Sequence, residues 1–550
     1  MKGRKLLTTL MTVGLAGSVL LAGCSGDNGG KAGNPSDPAN SGSNKTNESN
    51  GFVLGETLVS FSYYVHYDWW TTEPWGVSPN SKWVQDNLKV TVNPIQSGGA
   101  AAQKLSTMIA SKELPDAIMM DRGPEVERLR SAGALVPLDE YIDKYPNLKK
   151  WAGEETLNML RSSDGKIYQF PNWYTAEPTG NGGWFVNKKM YAELGSPKLE
   201  TTDDLYAYLQ QVKSKYPDVV PLEVGGNGSG VEVMFPSFQE GAAGAFHSMK
   251  AYPNGDKFDT IYNNEAWKET MLYASKLFRE GLMTQDAMTQ KDDQVKEKLA
   301  TGRVAVFVGG NATNMGREGH NALKAQDPTA GYEFIWPIAK SGLDKNKVYP
   351  NGYNALGWNV NVITTSAKNP EAIFAYLDWM TGEEGTRVMF FGPQGLYWDD
   401  FDADGAPIPN DKWFSTSQEE KDKDKLEAYV WSGNATFVDK SKQKIEQTLP
   451  EDQRNWGALA QLNIAWKTSQ NMTQYNNIDP APETDEGIIN QQVKETADEY
   501  FGKILFAKSD AEVLSLIEEA KKTTTGLGFD KVNEFRTARW QENLALISGK

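Results

Sequence analysis

The chain of 550 residues has one cysteine and three histidines. A single cysteine forbids an internal disulfide, and outside a cell a lone exposed thiol is reactive. His66, His247 and His320 are widely separated, which argues against a histidine-based metal site or a catalytic triad. The sequence has no phosphate-binding Gly-x-x-x-x-Gly-Lys loop, no His-Glu-x-x-His and no Gly-x-Ser-x-Gly elbow. Glycoside hydrolysis, which needs only two opposed carboxylates, stays open among 72 acids. Positive charge is short too. The formal charge is −16, and −19 once Lys2, Arg4 and Lys5 are removed, which argues against nucleic acid and against adhesion to anionic lipid by charge. From Ser25 to Asn50 the chain has no Val, Ile, Leu, Met, Phe, Trp, Tyr or Cys. Such a stretch cannot bury enough surface to order itself, and it reads as a tether reaching about 28 Å.

Ahead of the tether, Lys2, Arg4 and Lys5 precede an apolar run from Leu6 to Leu21, the pattern of an export signal over residues 1–23. The run ends in "LAGC", which resembles the bacterial lipoprotein signal. That resemblance implies a cleaved chain whose first residue, Cys24, carries acyl chains, palmitate among them. Two or more chains anchor stably where one binds marginally. Folding is expected from residue 52 onward, and about 500 residues suffice for two or more cores.

Aromatic residues are abundant, at 11%, with 17 Trp. Core packing alone explains this poorly, because each buried indole N–H needs a partner. "FSYYVHYDWWTTEPWG" (61–76) alone holds seven rings. The segment begins in a strand-like run, 56–64. A second strand over 89–95, a helix over 98–112 and a third strand over 114–121 follow. Strands alternating with helices predict a parallel sheet covered by helices, with ligand outside the carboxyl ends of the strands. Tyr67, Trp69, Trp70 and Trp75 follow the first strand, and Asp121 and Arg122 end the third. Further helices are expected over 126–132, 137–145, 153–163, 202–214, 264–280, 291–301, 368–385, 511–522 and 532–547, and strands over 182–187, 304–310 and 357–363.

Taken in order, "LSTMIASKELPDAIMMD", "LRSAGALVPLDEYIDKYPNLKK", "DGKIYQFPNW", "GGWFVNKKMYAELG", "LATGRVAVFVGGNATN", "SAKNPEAIFAYLDWMTGEEG" and "GPQGLYWDDFDADGAPI" resemble the extracellular solute-binding lipoproteins, family 1, of bacterial carbohydrate ABC importers, in particular their larger, LipO-like branch. The resemblance covers about residues 52–545. It implies an α/β, two-lobed periplasmic-binding-protein-like (type II) fold with an interlobe ligand cleft. The lobes would be 52–171 plus 355–393 and 172–354 plus 394–550, with crossings near 170–172, 351–356 and 392–396. It also implies a monomeric receptor on the extracellular face of the membrane, without a cofactor, that delivers an oligosaccharide to an ABC permease and performs no catalysis. A surface-anchored glycoside hydrolase and a receptor of the same fold for peptide or another solute are the alternatives.

A sugar offers hydroxyls to polar groups and flat C–H patches to aromatic faces. Tyr67, Trp69, Trp70, Trp75, Asp121, Arg122, Trp173, Tyr174, Glu177, Asn311, Asn314, Tyr353, Trp358 and Trp398 are therefore the candidate ligand residues. "DFDADGAPIPND" places Asp400, Asp402, Asp404, Gly405 and Asp411 at spacings of a calcium loop. Pro407 and the missing bidentate Glu instead favour an Asp-Gly hairpin turn.

Overall fold

The computed structural model describes residues 51–550 except 451–453, 482–483 and 549–550, and the side chains of Gln418 and Glu419. The expected signal (1–23), Cys24 and the tether through residue 50 lie outside the described residues.

Nine strands form two large sheets: β1 (Val59–Val65), β2 (Val90–Ile95), β3 (Ala117–Asp121), β4 (Phe170–Asn172), β5 (Gly183–Asn187), β6 (Val220–Glu223), β7 (Val304–Gly309), β8 (Tyr332–Ile335) and β9 (Asn359–Ile363). The first sheet has the order β2-β1-β3-β9-β4 and the second β8-β5-β7-β6. β1 runs parallel to β2 and β3, as the β-α-β opening predicts. β9 enters antiparallel to both β3 and β4. In the second sheet β5 opposes β7 and β8, and β6 and β7 alone are parallel. Both sheets are thus mixed where the sequence predicts a parallel one. Strands that return from the other half of the chain, such as β9, enter with reversed direction.

β1 shows why this segment is so rich in rings. Phe61, Tyr63 and Val65 face a core completed by Phe374, Tyr376 and Leu377 of the helix Pro370–Thr381. Tyr64 faces the other way, against Leu105, Ile118, Met120 and Val362. From Tyr63 to Val65 both faces are covered and the run is continuously apolar, while Ser60 and Ser62 alternate outward before it. The helix Pro370–Thr381 begins where Asn369 accepts from the Ala372 N–H and Pro370 occupies the first turn. In the second half, Thr201 and Asp204 form a reciprocal capping box at the helix Thr202–Lys215. That helix packs with Trp184, Val186 and Leu222 in a separate core.

The chain leaves the first sheet after β4 and re-enters it at β9, just past the short strand Asn351–Tyr353. The third passage differs from expectation. Trp398, Tyr429, Trp431, Val438 and Ile445 all belong to the first core, whereas Trp456 packs on Phe185 and His320 of the second half. The chain thus changes core between Ile445 and Trp456, where the resemblance implies a crossing near 392–396. The reason is the stack of Trp431 on Tyr63, with ring centroids 3.7 Å apart, which draws this segment onto β1. Beyond the crossing, Ser469–Asn471 pairs in parallel with Asn351–Tyr353. The helices Asp485–Leu505 and Asp510–Gly526 return to the second core. No described helix is long and apolar enough to cross a membrane.

Candidate functional site

The carboxyl ends of β1 and β3 and the start of β9 share one edge of the first sheet. Register places Asn359 opposite Asp121 on one side and Asn172 on the other. Tyr67, two residues beyond β1, donates its hydroxyl to Asp121 Oδ1 at 2.7 Å. Burial, and then this carboxylate, hold the Tyr67 phenol well above its ordinary pKa, so it stays a donor.

Three rings meet here. Tyr67 lies 5.3 Å from Trp69 at 27° and 5.4 Å from Trp358 at 45°, and the two indoles are 6.5 Å apart. Trp69 is 65% exposed and Trp358 48%, although each has ring neighbours. Large rings that stay open beside a carboxylate form a platform for a ligand with an apolar face and hydroxyls. Asp121 is exposed, and Asp68 next to the rings accepts from the Ala101 N–H at the first turn of the helix Ala101–Ser111.

Arg122 supports the edge from behind. Nη1 donates to the carbonyls of Leu356 and Gly357 at 3.2 and 3.0 Å, and Nη2 to Asn476 Oδ1 at 3.0 Å. Asn354 donates to the same Asn476 oxygen at 2.8 Å. Burial lowers the Arg122 pKa to about 10, with Asp121 opposing, which leaves it charged at neutral pH. Gly357, with φ +70°, passes so close to β4 that a Cβ would lie 2.0 Å from the Asn172 carbonyl. Only glycine fits there, and this approach is what presents the neighbouring Trp358 to solvent.

The other candidates separate into three groups. Trp70, Tyr174 and Trp398 lie in the first core, as Tyr67 does, and Trp75 packs on it, where the sequence leads to ligand contacts. Trp70 is 6% exposed, Trp398 5% and Tyr174 0%. Trp75 donates to the Val90 carbonyl at 3.1 Å, and the Trp398 indole to that of Gly392 at 2.7 Å. The Tyr174 hydroxyl is 2.6 Å from Thr381 Oγ1. The Trp75 and Trp398 indoles and the Tyr174 hydroxyl thus find internal partners. Trp173 and Tyr353 sit, half-buried, at the passages between the halves. Trp173 adopts φ +58° with its ring edge-on to Phe390, and Tyr353 pairs with Asn471. Glu177, exposed beyond the first passage, is paired with Lys440 at 3.0 Å.

Asn311 and Asn314 are exposed at the start of the helix Ala312–Gln326, just past the end of β7, and bond to each other at 2.8 Å. Beside them Asn181 Oδ1 accepts from Thr313 at 2.9 Å and from Gln461 at 2.6 Å. Gln461 opens a π-helical turn, Gln461–Ala465, a distortion frequent at functional sites. Sequence reasoning missed Asp68, Asn181, Asn359 and Gln461. Asn359 had a signal, since "NVNV" places two amides in a wholly buried strand. Gln461 had none, because no spacing ties it to Asn181.

The acidic loop does not arrange itself around a cation. Trp398–Phe401 and Pro407–Pro409 form a hairpin whose turn is closed by the Gly405 N–H on the Asp402 carbonyl. Lys444 donates to Asp402 Oδ2 at 2.6 Å and Asp404 Oδ2 at 2.5 Å. The ammonium occupies the place where this loop would gather charge for calcium. No cluster among the described residues could hold a metal ion.

A family model described as bacterial extracellular solute-binding protein matches residues 81–387. That is more than half of the chain, and the protein belongs to this family. It is 22% identical over 301 residues to the polygalacturonan/rhamnogalacturonan-binding protein YtcQ of Bacillus subtilis (strain 168). The alignment covers 54% of this chain and 58% of YtcQ, so the chain spans less than two thirds of that relative. Among solved structures it is similar to an HMO-binding, ABC-transporter-associated solute-binding protein from Bifidobacterium longum infantis (TM-score 0.65, 16% identity, 89% of this chain and 99% of that one). It is also similar to the alginate-binding protein AlgQ2 (0.61, 18%, 89% and 99%) and to Streptococcus pneumoniae FusA in complex with kestose (0.61, 19%, 88% and 100%). The α/β fold is that of periplasmic-binding-protein-like solute-binding proteins.

Proposed function

We propose that the protein is the receptor of an ABC importer and binds an oligosaccharide between its two halves, for delivery to a permease. The observation that carries this reading is the pair of exposed indoles, Trp69 and Trp358, packed against buried Tyr67 and beside Asp121. Asn311 and Asn314 supply amides from the second sheet's edge, with Asn181, Thr313 and Gln461 behind them. The lobes are the halves built on the two sheets, with residues 398–449 assigned to the first. Closure of one on the other around ligand is a hinge motion about the three passages. The relatives named for alginate, HMO, kestose and polygalacturonan/rhamnogalacturonan favour a glycan as the solute.

In this reading Cys24 carries the lipid that holds the protein, as a monomer, on the extracellular face of the membrane, and no chemistry is done on the sugar. A thermal-shift screen against a glycan library tests the core of it, because a ligand that binds only the folded state raises the melting temperature by mass action. Stabilisation by glycans without release of reducing ends is the expected result. Turnover would assign a hydrolase, and stabilisation by peptides alone would assign a different solute. Metabolic labelling with palmitate, lost in Cys24→Ser, tests the anchor.

A further inference from the structure

The edge that carries the rings also has a distinct charge pattern. Asp121 Oδ1 accepts from Tyr67, while Oδ2 takes part in no hydrogen bond among the described residues. Asp68, beside Trp69 in the chain, is exposed as well. The cations nearby are engaged elsewhere. Arg122 is directed to the backbone of Leu356 and Gly357 and to Asn476. Arg128 is paired with Glu125 at 2.6 Å. Lys104 donates to the Gln96 carbonyl and lies 5.9 Å over the ring of Tyr64, which faces the opposite side of the sheet. His66, with a pKa held below its ordinary value by burial, is uncharged at neutral pH. An acceptor of negative charge is therefore free beside the rings, and of these cations only the Arg122 Nε lacks a hydrogen-bond partner, where it is buried away from solvent.

Resting on the receptor reading above, we infer that the sugar unit seated on Trp69 and Trp358 is uncharged, donates a hydroxyl to Asp121, and cannot be replaced by a uronate. A hydroxyl on a carboxylate forms a charge-assisted hydrogen bond. A sugar carboxylate would meet like charge with no exposed, unpaired cation among Arg122, Arg128 and Lys104 to answer it, in a chain whose formal charge is already −16. Specificity of this kind comes from the repulsive element as much as from the attractive one. The relatives named for acidic polymers and those named for neutral ones leave the choice open, and Asp121 decides it for this chain.

The test is calorimetric titration of the full chain at low salt with two panels: neutral gluco-, manno-, xylo- and fructo-oligosaccharides, and oligogalacturonides with alginate oligomers. At least one neutral series should bind, with every uronide weaker by about tenfold or more. In Asp121→Asn the neutral ligand should weaken while the gap to the uronides narrows. An unchanged melting temperature without ligand would show that the variant folds, and the wild-type comparison needs no variant at all. Uronides binding as tightly as neutral sugars, with an affinity that falls as salt rises, would overturn the inference and leave the receptor reading intact. Binding confined to cationic amino-sugar oligomers would overturn it as well. Binding of no glycan of any charge would remove the receptor reading, and this inference with it.

Discussion

The indoles of Trp69 and Trp358 lie 6.5 Å apart at one sheet edge, one from the loop after β1 and the other from the residue before β9. Both remain about half-exposed or more. Replacing either with Ala should therefore change the melting temperature of the free protein little. It should abolish most of the fluorescence change that a bound glycan produces, and weaken binding by about 1 kcal/mol or more through lost apolar contact. Trp431→Ala, by contrast, should cost about 3–5 kcal/mol of stability, because that ring is fully buried against Tyr63. Chemical denaturation and ligand titration of the same three variants separate the two roles. Equal stability losses in all three would contradict the assignment.

Arg122 and Asn476 join the first sheet to the segment that follows the strand Ser469–Asn471. Arg122→Ala and Asn476→Ala should show a coupling energy of about 0.5–3 kcal/mol in a double-mutant cycle of unfolding. Additive effects would mean that the 3.0 Å contact contributes nothing.

His247 is buried, and its Nδ1 accepts from the Trp267 indole at 2.9 Å, which requires the neutral ring. Burial lowers its pKa to about 3, and Lys250 adds to the effect. The unfolded chain takes up a proton near pH 6.5 and the folded chain does not, so the contribution is complete above about 6.5 and is lost as pH falls toward about 3. The loss should approach about 1.4 kcal/mol per pH unit in that window. His247→Asn should flatten this dependence, measured by denaturation between pH 7 and 4.5. A wild-type profile that matches the variant's would refute the assignment.

Lys444 holds Asp402 and Asp404 together at a site where a calcium loop was a candidate. Neither chelator nor added calcium should move the melting temperature of the wild-type chain. Lys444→Met should cost about 1 kcal/mol or less, since the group is one-third exposed.

Much of the framework is legible in local pattern. The strands β1, β2, β3, β5, β7 and β9 and the helix begun by Asn369-Pro370 follow from apolar periodicity and capping chemistry, which act over a few residues. Tyr67 and Asp121 fall at or past strand ends by the same logic, whereas Asn311 and Asn314 come from the family resemblance of the stretch after "VAVFVGG". What pattern could not separate were rings of identical chemistry. Trp69 and Trp70 are adjacent, yet one is open and the other is core, because burial depends on which partner arrives from far along the chain.

Tertiary structure alone decided that Trp358 comes to Trp69, that Trp431 draws residues 398–449 onto the first sheet, and that Lys444 answers the acidic hairpin. Each of these is a contact between distant segments whose closure no local periodicity encodes. By itself the sequence determined composition, charge, the succession of elements and the surplus of rings. The packing of distant segments selected which of those rings remain free to meet a ligand.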